Sequence, residues 1–379
     1  MDRLYRAIGL MSGTSADGID AALIETDGEA LLRSGPCLSE TYDTRLSAQI
    51  LETLEAARNI EIRTDGTFFP TFADTEKALS EAHVQIVNRL VREAGLKPSD
   101  IDVVGFHGQT ILHRPEVRLT WQLGDGALMA RQTGIDVVND FRHADVKAGG
   151  QGAPLTPLYH AALGARTAER PLCVLNLGGV ANVTWIGGQA SQAAAANDIL
   201  AFDTGPANAP VNDWVRAHTG ASMDENGDHA RKGRVDEDRL QQGLSHPFFA
   251  KPAPKSLDRF DFNADLAEGL SLADGAATLT AFCAAAVAAA LVQMPSPPRL
   301  WVVCGGGRHN EILMNELRAR LPGKIVKAED VGWRGDVLEA EAFAYLAVRS
   351  LKKLPLSVPR TTGVPQPLTG GRFHPHAAA

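Results

Sequence analysis

The chain has 379 residues, 44% hydrophobic and 22% charged, the balance of a soluble globular protein rather than a disordered segment or coiled coil. Its 37 Lys and Arg against 45 Asp and Glu leave a net charge of −8, which argues against nucleic acid or an acidic membrane surface as partner. An anionic ligand would therefore have to be trapped locally, by backbone N–H groups, helix ends and metal. The length suits two domains of ordinary size. Cys37, Cys173, Cys283 and Cys304 stand far apart, so neither a zinc site nor a disulfide framework is expected. The N-terminal residues run straight into an apolar strand without a signal-peptide core, which points to the cytoplasm.

In chain order, residues 4–10 read as a strand that ends in Met11-Ser-Gly-Thr-Ser-Ala-Asp-Gly18, with a second strand over 19–25. Helical stretches follow at 45–57 and 75–94, then a strand at 103–106 that runs into His107-Gly-Gln-Thr110, and a helix at 127–133. A glycine-rich boundary lies over 140–154, where Lys147-Ala-Gly-Gly-Gln-Gly152 suits a hinge or a loop that folds over a ligand. After a helix at 157–163, strands at 172–177 and 183–186 flank the turn Gly178-Gly-Val-Ala-Asn182, a second hairpin that hints at internal duplication. Residues 189–196 read as a loop insert. The strand 199–202 ends in Asp203-Thr-Gly-Pro206, and the strand 300–304 ends in Gly305-Gly306-Gly307 before a helix. The alanine-rich stretch 281–292 is too short to span a bilayer and reads as a buried helix begun near Asp274. A helix at 340–354 precedes an irregular tail from 355 to 379. Alternating strands and helices imply a layered α/β fold.

The glycine turns have a chemical logic and a structural one. Glycines let backbone N–H groups close on a phosphate, Ser12, Thr14 and Ser15 add hydroxyls, and Asp17 could hold Mg²⁺ directly or through water. Any tight turn uses the same residues. Gly305-Gly306-Gly307, before a helix N-terminus, suits a nucleotide or equally a close strand–helix crossing. Glu329 and Asp330, roughly 20 residues on, fit the spacing of a dinucleotide fingerprint, but Asn310 stands where its third glycine belongs. Asp203, at the end of an apolar strand, is placed to take a proton from a hydroxyl or water, or else to cap a helix. His107, Gly108, Gln109 and Thr110 offer the directional hydrogen bonds a sugar needs, with Gln122 and Arg142 in nearby segments.

Taken together, these segments resemble the anhydro-N-acetylmuramic acid kinases, sugar kinases of the actin, hexokinase and heat-shock-70 superfamily. The likeness rests on Gly9-Leu-Met-Ser-Gly-Thr-Ser-Ala-Asp-Gly-Ile-Asp20, Gly105-Phe-His-Gly-Gln-Thr-Ile111, Thr133-Gly-Ile-Asp-Val-Val-Asn-Asp-Phe-Arg142 and Ala148-Gly-Gly-Gln-Gly-Ala-Pro-Leu155. It continues through Asn176-Leu-Gly-Gly-Val-Ala-Asn182, Phe202-Asp-Thr-Gly-Pro-Ala-Asn208, Cys304-Gly-Gly-Gly-Arg-His-Asn310 and Glu339 with Ala342-Phe-Ala344. One departure is Ala207, where the family usually has glycine, a strained choice if the backbone there needs a positive φ.

The resemblance implies a two-lobed actin/hexokinase-like α/β fold, with duplicated ribonuclease H-like domains around a nucleotide cleft. One lobe would comprise residues 1–140 with a C-terminal helix at about 338–360, and the other residues 141–337. It implies ATP and Mg²⁺ as cofactors and a small sugar as substrate, 1,6-anhydro-N-acetylmuramic acid, opened with water and phosphorylated on O6. Asp203 would be the general base. Gly13, Thr14, Ser15, Ala16, Asp17, Gly18, Ile19 and Asp20 would form the first phosphate loop, Gly178 and Gly179 the second, and Gly305, Gly306 and Gly307 the adenosine side. His107, Gly108, Gln109, Thr110, Gln122, Arg142 and Glu339 are the candidates for the sugar. Family members are commonly dimers, so a homodimer is expected.

Overall fold

The computed structural model describes residues 3–13, 16, 18–29, 31–58, 60, 72–188 and 198–377. The expected insert at 189–196 lies outside them. The chain divides into two compact units, Met1–Leu163 with Val337–Pro359 and Gly363–Ala379, and Gly164–Asp336 with Arg360–Thr362. The first unit thus runs past the glycine-rich segment 140–154.

In the first unit β1 (Tyr5–Met11), β2 (Gly18–Thr26) and β3 (Leu31–Thr41) form an antiparallel meander. Helices α1 (Thr44–Arg58) and α2 (Ala73–Glu93) follow. β4 (Val103–Phe106) then joins parallel to β1, β5 (Gln109–Arg114) and β6 (Leu119–Leu123) leave as a separate hairpin, and β7 (Val137–Asn139) joins parallel to β4. Between β6 and β7 lies α3 (Gly126–Thr133), opened by the Asp125 carboxylate accepting from Leu128 N–H and closed by Gly134 at φ +70°. Helix α4 (His143–Lys147) and α5 (Pro157–Gly164) complete this part. Val84, Val87, Leu90 and Val91 recur at helical spacing on α2, which buries them with Ile8, Leu10, Val104 and Phe106 of the sheet.

The second unit repeats the plan. β8 (Leu172–Leu177), β9 (Val180–Ile186) and β10 (Ile199–Pro206) make a meander, and β11 (Leu300–Cys304) and β12 (Lys324–Lys327) extend it in parallel from β8. The sheet order β10-β9-β8-β11-β12 matches β3-β2-β1-β4-β7 of the first unit, strand for strand and sense for sense. This is the ribonuclease H-like arrangement, present twice. Its helices are α6 (Asn208–Thr219), α7 (Glu237–Leu244), α8 (Leu272–Ala289) and α9 (Glu311–Arg320). α8 and the turn after it make a stretch, Leu272–Gln293, of 22 residues that is long and apolar enough to cross a bilayer, which corrects the shorter estimate from sequence. Most of its residues are buried in the core of this unit, where they pack with β10, α6 and α9.

The chain then returns to the first unit. α10 (Leu338–Leu351) lies on its sheet, α11 (Pro359–Thr362) belongs mostly to the second unit, and β13 (Arg372–His374) pairs antiparallel with β7 of the first. The tail is therefore not irregular throughout. His374 and His376 fix it by contacts to Asn139 and Asp136, and the Ser350 hydroxyl donates to the Gly370 carbonyl. α10 sits on two glycines that face each other across β1 and β4, Gly9 and Gly105. A Cβ on Gly9 would lie 1.8 Å from the Ala340 carbonyl oxygen, and one on Gly105 would lie 2.1 Å from that of Phe343.

That contact predicts that Gly105→Ala lowers the unfolding free energy in urea by about 1–3 kcal/mol, the usual cost of overpacking. Gly188→Ala, where a Cβ meets nothing among the described residues, is the control and should stay within about 0.5 kcal/mol of the parent. Equal effects of the two would overturn the close-seat account.

Candidate active site

In each unit the motif loops collect at the carboxyl edge of the parallel strands, where open α/β sheets place ligands. In the first unit these are the segments after β1, β4 and β7. The Ser12 hydroxyl donates to the Gly108 carbonyl at 3.2 Å, and Gln109 Nε2 donates to the Gly13 carbonyl at 3.0 Å, which also accepts from Ala16 N–H. Gln109 is fully buried, and its amide nitrogen ties this segment to the first loop. Ala16 is buried and holds φ +55°, a left-handed conformation unusual for alanine and a local strain of the kind found in ligand loops. Thr14, Ser15 and Asp17 lie outside the described residues. Gly18 is a packing glycine, since a Cβ there would meet the Glu40 carbonyl at 2.3 Å, and Ile19 points into the core.

Four residues from four motifs gather in this unit: Asp20, His107, Arg142 and Glu339. His107 Nε2 accepts from Arg142 Nε at 2.9 Å, and its ring packs on Phe343 of α10 with centroids 4.5 Å apart. An acceptor Nε2 puts the ring proton on Nδ1. Burial, and secondarily the Arg142 charge, push the His107 pKa well below the ordinary value, so the ring is neutral. Arg142 Nη1 donates to the Gly152 carbonyl at 2.7 Å, while Gly152 N–H donates to buried Asp145. Gly150 and Gly152 are thus pressed onto Asp145 and Val146, and the glycine-rich segment is folded against α4 rather than left free as a hinge. Glu339, on the first turn of α10, has its pKa raised by burial and by Asp20, with Arg142 opposing. Gly108, at φ +75°, is held against the Leu123 carbonyl. Gln122 donates to Thr110 and Thr120 and lines a cavity of about 380 Å³ with Asp125, Asp140 and His143. Neither His107, Arg142 nor Glu339 is part of that lining.

In the second unit Asp203 is inside β10 at a bulge, with a relative exposure of 8%. Its N–H donates to the Lys255 carbonyl at 2.9 Å, and its Oδ2 accepts from Leu257 N–H at 2.8 Å. The helix-cap alternative fails, because α6 begins only at Asn208 and its cap position is Ala207. Ala207 has φ −126°, so alanine causes no left-handed strain there. The carbonyls of Gly178 and Gly179 accept from the N–H groups of Ala207, Asn208 and Ala209. A Cβ at either glycine would make only ordinary contacts, at 3.4 and 3.6 Å, so neither packing nor a positive φ demands glycine here. Open backbone of this kind fits close approach by a phosphate. Gly305 and Gly307 are different. A Cβ on either would strike Asn176 or Leu177, and only Gly306 stands clear.

Arg308, 1% exposed, fastens this glycine turn. It binds Glu329 through Nε and Nη2, Asp336 at 2.7 Å and the Gly305 carbonyl at 3.0 Å. Glu329 is thereby engaged as an ion-pair partner, which removes the ribose role the dinucleotide spacing offered. The Lys255–Leu257 segment was not legible as part of the site. It lies some 50 residues beyond Asp203, and its one signal is a cation set in the proline-flanked run Lys251-Pro-Ala-Pro-Lys255.

A family model described as anhydro-N-acetylmuramic acid kinase matches residues 5–376. A relative of that name from Rhodospirillum rubrum is 53% identical, covering 98% of this chain and 94% of its own. One from Acidiphilium cryptum is 52% identical over 97% of both chains, and one from Rhizorhabdus wittichii is 51% identical over 97% and 98%.

The buried histidines of the first unit predict a pH dependence. Burial lowers His83 to about 4 and His160 to about 3, and His107 lies well below the ordinary value. Below about pH 6.5 the unfolded chain binds protons that these rings refuse, so stability falls with acidification by up to about 1.4 kcal/mol per pH unit for each ring. The raised carboxyls of Glu339 and Asp140 act in the opposite sense at lower pH. Urea unfolding at pH 7.0 and 5.5 should show a clear loss at the lower value, and equal stability at both would contradict the neutral-ring assignment.

Proposed function

Because the chain belongs to the anhydro-N-acetylmuramic acid kinase family, we propose that it converts 1,6-anhydro-N-acetylmuramic acid, ATP and water into N-acetylmuramic acid 6-phosphate and ADP. The setting is recycling of peptidoglycan fragments in the cytoplasm, by an enzyme acting as a homodimer. The observation that carries this reading is Asp203: a nearly buried carboxylate on a strand bulge, oriented by a backbone N–H.

The Asp203 carboxylate takes a proton from water as the water oxygen bonds to the anomeric carbon. The bond from that carbon to O6 breaks, and O6 takes the γ-phosphoryl group as the bond from the γ-phosphorus to the β,γ-bridging oxygen breaks and ADP leaves. By the family reading, N–H groups of the first loop, Gly13 to Asp20, would meet the phosphates, those of Gly178 and Gly179 would do the same from the second loop, and Gly306 would leave room for the adenosine. Mg²⁺, held through water by Asp17, would neutralise charge on the phosphoryl oxygens. His107, Arg142 and Glu339 bind the sugar, with Gly108, Thr110 and Gln122 at its edge. A neutral imidazole and a guanidinium provide donors for acetamido, carboxylate and hydroxyl oxygens, and the Glu339 carboxyl provides acceptor oxygens for hydroxyls.

Asp203→Asn should lose at least about 100-fold in turnover, the lower end of general-base assistance, while ATP affinity changes much less. In ¹⁸O-labelled water the parent enzyme should place label on the anomeric hydroxyl of the product. A panel of the anhydro sugar, N-acetylglucosamine and glucose, scored by ADP release, tests the substrate class. Unlabelled product, or equal turnover of glucose, would replace this reaction with plain sugar phosphorylation.

A further inference from the structure

The segment that holds Asp203 carries a buried cation the reaction above does not use. Lys255 is 6% exposed, and its ammonium donates to the carbonyl of Phe248 at 3.0 Å and faces that of Phe249 at 3.5 Å. It also lies over the Phe248 ring, 4.3 Å from the centroid. Phe249, Phe262 and Phe282 continue this aromatic wall, with Phe249 reaching Gly205 two residues from the base. The Lys255 carbonyl accepts from the Asp203 amide, and Leu257 N–H donates to the Asp203 carboxylate. One lysine is therefore anchored by its side chain to the turn Pro247–Ala250, while its main chain grips the proposed base.

We propose that Lys255 is a positioning residue for the reaction: its ammonium fixes the segment that orients Asp203 and supplies the positive charge that favours the carboxylate over the carboxylic acid. This deepens the assignment of Asp203 as base and rests on it. Two charged groups among the described residues act on Lys255. Lys251 repels it, Asp203 attracts it, and from the turn after α8 the Gln293 amide donates to the Lys251 carbonyl without carrying charge. Burial first, and then Lys251, push the Lys255 pKa down to about 8, against the pull of Asp203. The lysine is thus charged at the acidic pH where a carboxylate titrates. Among aromatic rings the attraction is poorly screened, so its removal raises the pKa of the base.

The test is the pH profile of kcat/KM for the anhydro sugar, with thermal unfolding followed in parallel. Lys255→Gln keeps donors for the two carbonyls but loses the charge, and Lys255→Arg keeps the charge. The Gln variant should move the acid limb upward by up to about one pH unit, and the Arg variant should restore it to near the parent position. Should Lys255→Gln fail to fold, Lys255→Met carries the same measurement. A variant that loses thermal stability or kcat while its acid limb stays in place would overturn the proposal and leave Lys255 a purely structural anchor. The two readings fail separately. An active Asp203→Asn removes the base itself, whereas an inactive Asp203→Asn with an unmoved limb in Lys255→Gln removes only the lysine.

Discussion

Helices that lie on strands with no Cβ between them are the constraint on which both units depend. In the first unit α10 reaches Gly9 and Gly105 so closely that its own carbonyls occupy the space of their missing side chains. Ala340, Ala344 and Ala347 are fully buried on that face, so the helix is small where the sheet is small. The second unit uses the same device, with Ala286 of α8 against Gly205 of β10. Helix–sheet packing normally leaves about 10 Å between layers, and small residues on both sides are what permit a closer seat.

This packing sets the chemistry. Phe343 of α10 provides the face against which His107 lies, and Glu339 enters from the first turn of the same helix to share its field with Asp20 and Arg142. A shift of α10 by one ångström would move a ring contact and an acid together. In the second unit the strand glycine that admits α8 is two residues from Asp203, at the bulge that turns the carboxylate out of the regular ladder. A motif of this kind can therefore serve packing and a candidate site at once, because the same backbone that must be bare for a helix also carries the candidate side chain a residue or two away.

That double use explains which features were legible in the sequence. Strands that end in glycine and polar residues were readable because apolar runs give way abruptly, and the two hairpins hinted at the duplication, though not at the strand order. The glycines themselves were not separable. Gly18, Gly305 and Gly307 are small because a neighbour's backbone or side chain fills their space, whereas Gly178, Gly179 and Gly306 have room to spare, yet all six look alike in a sequence. Gln109, which reads as a sugar ligand, spends its amide on Gly13 across 96 residues. The edge strand β13 was hidden in a stretch rich in proline and glycine, where pairing depends on β7 and on contacts to Asp136 and Asn139 rather than on any local pattern.

Charge shows the same contrast between local and global information. A net charge of −8 says only that the surface will not gather anions. Within the sites, each ionisable group has its protonation set by burial against a named partner: the His107 ring is neutral beside Arg142, and the Glu339 acid is favoured by burial and Asp20. Arg308 remains charged despite burial because Glu329 and Asp336 both bind it. Pairing at Arg308 holds a glycine turn whose middle residue alone has open space, so the strong ion pairs are spent on shaping backbone rather than on meeting a ligand. An anion at such a turn would be met by main-chain dipoles already fixed in place, whose orientation costs nothing further at the moment of binding. An acidic protein can bind a highly charged phosphate on those terms without a single lysine at the turn.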